Sequence, residues 1–125
     1  MTDQGPAAVV LKYVECINKG QPDDVAALTA QEFTFTDSSG RVYVFRGNEE
    51  IKRCWREYFA PFPNYKIHVQ QVLRGGDGVA LIGQTSGSHV PADIEEKSTV
   101  LWIATMRGGL VAEWRIYADE EYVQG

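Results

Sequence analysis

Reactive and metal-binding residues are scarce in this 125-residue chain, which has two cysteines, Cys16 and Cys54, and two histidines, His68 and His89. Neither cysteine has a close Cys or His partner at metal-ligand spacing, so no metal centre is expected. Both cysteines fall in helical sequence, and two free thiols are expected rather than a disulfide. No charge-free apolar run approaches the ~20 residues that cross a bilayer as a helix. The opening MTDQGPAAVV lacks the basic start and long apolar stretch of a secretion signal, so a cytoplasmic protein is expected. Positive charge is sparse as well: the net charge is −5, and the main basic cluster is Lys52-Arg53-Arg56. A phosphate backbone is therefore not an expected partner.

What the chain does hold is aromatic mass, with three Trp, six Tyr and five Phe spread along its length. Hydrophobic residues make up 44% and charged residues 23%, the balance of an ordinary globular protein. One domain spanning residues 1–125 can bury a real core at this size.

The first half reads as helical. In AAVVLKYVECIN, residues 7–18, Val10, Val14 and Ile17 share one face with Tyr13 beside them, and Asn18-Lys19-Gly20 stops the helix. Pro22 opens a short second helix carrying Asp23 and Asp24 in its first turn. A third starts at Gly47-Asn48, buries Ile51, Trp55 and either Tyr58 or Phe59, and ends before Pro61 and Pro63. Between the second and third, Phe33 to Thr36 alternates as a strand, and Arg41 to Phe45 returns as its hairpin partner. Four more strands follow: 65–73, 79–88, 98–106 and 110–117. Gly108-Gly109 forms the tight turn before the last of them. The segment HVPADIEE, residues 89–96, reads as a loop or edge bulge. The expected fold is α+β: three N-terminal helices packed on a strongly curved mixed or antiparallel sheet, a cone-shaped barrel able to enclose a pocket.

Three stretches carry a resemblance in their order and spacing: YVECINKGQPDDVAALTAQEFTFTD, FRGNEEIKRCWREYFAPFPNY and MRGGLVAEWRIYAD. The chain resembles the SnoaL-like families of the nuclear-transport-factor-like, cystatin-like α+β superfamily, with a more distant similarity to ketosteroid isomerases. That superfamily hosts isomerases, cyclases, epoxide hydrolases and scaffold subunits, so the function has to be argued from the site.

The resemblance implies a Tyr13–Asp37 pair, with Tyr13 as oxyanion donor on the first helix and Asp37 as base after the first strand. If Asp37 faces inward, Phe33 and Phe35 do too, and an apolar wall raises a carboxylate pKa. The plain alternatives are a core tyrosine and an aspartate that starts the turn Ser38-Ser39-Gly40. The second acid of the isomerases is missing: the matching position falls at Val100, Leu101 or Trp102, where only the Trp102 indole can donate. The epoxide-hydrolase pattern also fails, because its aspartate would fall near Ile116.

Two further candidates for catalysis remain. Asp119 resembles the acid that polyketide cyclases carry after the last strand, against a surface carboxylate as the alternative. His89 could act as base across the mouth, against a solvated loop residue. Phe33, Phe35, Trp55, Phe59, Trp102, Trp114 and Ile116 are the expected walls of a site for a small hydrophobic molecule, or else simply core. No cofactor is implied. By resemblance the outer face of the sheet, with Glu113, Arg115 and Tyr117, is expected to form a homodimer, with Glu113 and Arg115 pairing across the axis.

Overall fold

The computed structural model describes residues 5–118, and its architecture follows from how the helices cover one side of a sheet. The order is α1 (Pro6–Asn18), α2 (Pro22–Ala27), β1 (Thr29–Thr36), β2 (Val42–Arg46), α3 (Asn48–Phe59), β3 (Lys66–Gly75), β4 (Gly78–Ser86), α4 (Ala92–Glu95), β5 (Val100–Arg107) and β6 (Leu110–Tyr117). Pro6 and Pro22 each stand at a helix start, where the missing N–H would be unpaired anyway. Helix α1 buries Val10, Tyr13, Val14 and Ile17 on the expected face, and Ile51 is the buried anchor of α3. Strand β1 begins four residues earlier than its alternation announces, because Thr29 and Ala30 are both buried and so hide the period of two.

The strands form one mixed sheet in the order β2-β1-β6-β5-β4-β3. Only the β1–β6 pair is parallel; the other four pairs are antiparallel. The hairpin between β5 and β6 turns on Gly108 and Gly109, with φ of 62° and 80°. Two consecutive positive values are what a two-residue turn of matching twist requires.

Two fold expectations need correction. The sheet is open and does not close into a strongly curved, cone-shaped barrel: β2 and β3 are its two edges and do not pair with each other. A physical reason sits at the end of α1. There the Asn18 side chain accepts from Ile67 N at 2.7 Å and donates to Ile67 O at 2.9 Å. Lys66 Nζ also donates to the Asn18 carbonyl at 2.7 Å. At Ile67 the free edge of β3 is thus taken by a helix terminus rather than by a further strand. The second correction concerns helix number. Among the described residues there are four helices, because residues 92–95, expected as loop or bulge, form α4 behind Pro91.

The inner face of the sheet carries the core. Val79 and Leu81 on β4, Val100, Trp102 and Ala104 on β5, and Trp114 on β6 are all buried beneath α1 and α3. Close approach between β3 and β4 depends on one glycine. A Cβ on Gly83 would stand 1.9 Å from the His68 carbonyl oxygen, beside the register shift between Val69 and Gln71.

Gly83→Ala should therefore destabilise the fold by roughly 2–3 kcal/mol, because the clash is with backbone and only a shift of the ladder relieves it. Gly75→Ala, where a Cβ meets nothing within 4 Å, should stay within about 0.5 kcal/mol. Urea denaturation midpoints of the two variants check the contrast.

Candidate functional site

The inward residues of the strands converge on one end of the sheet. Phe33, Phe35 and Asp37 come from β1 and its turn, and Trp114, Ile116 and Ala118 from β6 and its end. Val100 and Trp102 come from β5, and Thr85 from the end of β4. Helix α3 covers them with Cys54, Trp55 and Tyr58. The segment around α4 closes the side with Ser88, His89, Val90, Glu95 and Ser98. Between these layers lies a cavity of about 550 Å³. Eight of its lining side chains are aromatic, and among the described residues none that lines it is a lysine or arginine.

Asp37 is at the rim, engaged by its own turn. Its Oδ1 accepts from Ser39 N at 3.0 Å, from Ser39 Oγ at 2.6 Å and from Arg41 N at 3.1 Å. The Tyr43 hydroxyl donates to Oδ2 at 3.4 Å. Desolvation pushes the pKa up, but the donors from Ser39, Arg41 and Tyr43 together outweigh it, and the carboxyl titrates below its ordinary value. Sequence reasoning left base and turn-former open. The geometry here is that of a turn-former.

Tyr13 stands on the other side of the aromatic wall. It is fully buried and is not among the residues lining the cavity. Its ring meets Trp114 edge-on at 5.0 Å and Trp55 edge-on at 6.5 Å. Its hydroxyl makes no hydrogen bond among the described residues. Burial, with smaller contributions from Cys54 and Tyr65, drives its pKa far above that of a free phenol. The expected Tyr13–Asp37 pair is therefore not assembled around one cavity.

The other expected residues divide cleanly. Phe33, Phe35, Trp55, Trp102, Trp114 and Ile116 do line the cavity. Phe59 does not; it stacks on Trp55 at 5.4 Å and supports it from behind. His89 lines the mouth, with Nδ1 3.1 Å from the Tyr58 hydroxyl. Asp119 lies outside the described residues. His68 is exposed, and its Nε2 is 2.9 Å from Ser86 Oγ. Both thiols are free. Cys54 faces the cavity, where burial and then Glu57 push its pKa up. Glu113 and Arg115 do pair, at 3.4 Å, but along their own strand within one chain.

Sequence reasoning missed Glu95. It is 6% exposed, lines the cavity and accepts a hydrogen bond from Thr85 Oγ1 through Oε2. Tyr65, beside it in the lining, was also missed; burial, then Tyr58 and Glu95, raises its pKa. The hidden signal for Glu95 was Pro91, which starts a helical turn and rotates the fourth residue after it inward. Trp102 adds an indole N–H buried without a partner. No group of three His, Cys, Asp or Glu that could hold a metal stands together among the described residues.

A family model described as a SnoaL-like domain matches residues 10–114. The chain belongs to the SnoaL-like family. No curated protein matches it significantly in sequence. Solved structures share the fold of this SnoaL-like domain at low identity. An NTF2-like protein of unknown function from Cytophaga hutchinsonii is 15% identical with TM-score 0.74, covering 99% of this chain and 98% of that one. A SnoaL-like protein of unknown function from Burkholderia thailandensis is 16% identical with TM-score 0.71, at 95% and 98% coverage. A protein with a ketosteroid-isomerase-like fold from Catenulispora acidiphila, solved in complex with trimethylamine, is 19% identical with TM-score 0.68, at 92% and 88% coverage.

These likenesses extend to the fold, and chemistry belongs to the site. In this SnoaL-like domain the Asp37 carboxyl should titrate below the ordinary ~3.9 when followed by carboxyl-carbon NMR, and a value above it would restore the base. A depressed folded-state pKa supplies stability that is complete above the unfolded value and fades as pH falls through the folded one. The stability difference between wild type and Asp37→Asn should therefore shrink on acidification below about pH 4.

Proposed function

We propose that this SnoaL-like domain binds a small hydrophobic molecule in the cavity between the inner face of its sheet and α3. The observation that carries the reading is the cavity itself, about 550 Å³ and walled mainly by aromatic side chains. That lies within the roughly 300–1,000 Å³ of small-molecule sites, which pair an apolar lining with a few polar groups. Here the polar groups are His89, Glu95, Ser98 and Thr85. Proton transfer by Asp37 and Tyr13 is not part of the proposal, because one carboxylate is tied into its turn and the phenol stands behind the wall.

The outer face supports the second half of the proposal, a homodimer. Val42, Val44 and Tyr117 are 56%, 48% and 42% exposed, and Leu101 and Ile103 lie half-buried on the face turned away from Trp102. An uncovered apolar sheet face of this kind suits a two-fold partner.

Cys54 reports on the ligand site. Saturating 1-adamantanol, a compact neutral probe, should slow alkylation of Cys54 by about tenfold or more, since the thiol lines the cavity. Alkylation that no neutral, cationic or anionic adamantane derivative slows would remove the binding reading. For the dimer, sedimentation equilibrium should give about twice the 14.0 kDa chain mass, and Val44→Glu should return it toward one chain by placing a charge in the apolar contact. A wild-type protein that sediments as a single chain removes the dimer.

A further inference from the structure

We infer that the cavity selects an organic amine, whose protonated nitrogen meets the Glu95 carboxylate while its apolar body rests among the aromatic rings. The inference rests on the binding reading above and adds the chemical class of the ligand. It starts from the unusual placement of one carboxylate. Asp93 and Glu96, the acidic neighbours of Glu95, are exposed to water, whereas Glu95 is 6% exposed.

The local backbone directs it inward. Glu95 N donates to the Pro91 carbonyl at 2.9 Å, and Ser98 N donates to the Glu95 carbonyl at 3.2 Å. This fixes the end of α4 against β4, where Thr85 Oγ1 donates to Glu95 Oε2. Oε1 makes no hydrogen bond to a described residue, and among the described residues no ion pair includes Glu95. Glu95 thus lines the cavity with a carboxyl that no described cation faces, and a cation placed there would compensate its ionised form.

The rest of the lining decides what completes it. An anionic ligand is opposed, because both acidic residues of the lining, Asp37 and Glu95, carry its sign, and no described lysine or arginine lines the cavity to offset them. An alcohol can donate one hydrogen bond to Oε1 but leaves the charge uncompensated. An ammonium group donates and compensates together. It is also attracted to the electron-rich faces of aromatic rings, which Trp55, Tyr58, Tyr65 and Trp102 supply around the same space. Asp37 cannot take this role as readily, because Oδ1 already receives three donors.

Three probes with one apolar body separate the possibilities: 1-adamantylamine, 1-adamantanol and 1-adamantanecarboxylate, titrated calorimetrically into the whole protein at neutral pH. The amine should bind about tenfold or more tightly than the alcohol, with the carboxylate weakest. Glu95→Gln keeps the shape and an acceptor for Thr85; it should erase the amine's advantage, so that amine and alcohol bind the variant within about twofold of each other. Equal or tighter binding of the alcohol or the carboxylate to wild type overturns the amine proposal and leaves the pocket reading standing. An amine preference that survives Glu95→Gln overturns it as well. Should that variant fail to fold, the wild-type ranking decides alone. Binding of none of the three overturns the pocket reading and this proposal with it.

Discussion

The contact between Tyr13, Trp114 and Trp102 is the constraint from which the rest of the site follows. Tyr13 meets Trp114 edge-on from α1, and Trp102 lies over Trp114 at 6.4 Å from the neighbouring strand. All three are at most 1% exposed. Fully burying a large aromatic side chain contributes on the order of 2–3 kcal/mol, and paired aromatic rings add to that. The cluster therefore pins α1 to the middle of the sheet and sets where the core ends. On the far side of the indoles the helical layer no longer fills the space, and the cavity begins there. The same packing explains why a phenol that resembles a catalytic donor is unavailable: its ring lies behind the floor that Trp114 and Trp102 form.

Polar groups around this floor are disposed by backbone geometry more than by mutual attraction. Asp37 follows an inward strand position, but the turn after β1 needs an acceptor for Ser39 and Arg41, and Asp37 provides it. Asx-type bonding of this kind is a common way for aspartate to hold a turn. Glu95 behaves in the opposite way. The helical turn behind Pro91 leaves it little choice of direction, and Thr85 offers one hydrogen bond on arrival. The site thus gained a buried carboxylate from a segment without alternation and lost one where alternation pointed to it.

Much of the fold was legible because hydrophobic spacing is a local property. Helix α1, the start and end of α3, and strand β6 stand almost where spacing, proline and glycine place them. Phe33, Phe35, Trp102, Trp114 and Ile116 all reach the cavity, since strand parity settles which side they take. Parity could not separate Trp55 from Phe59, which share a helix face yet stand as lining and backing. Four residues of α4 are too few for a period to show.

By itself, then, the sequence determined the family, the one-sided apolar faces of the helices and strands, and an interior dominated by aromatic side chains. Those are consequences of residue type and spacing alone. Tertiary structure decided the remainder: that the sheet stays open with Asn18 bound at Ile67 on the edge of β3, that Asp37 serves its turn, that Tyr13 is sealed behind Trp114, and that Glu95 faces the cavity. Each of these is a competition for one hydrogen-bonding partner or one volume between groups far apart in the chain. Its outcome exists only once the elements have packed.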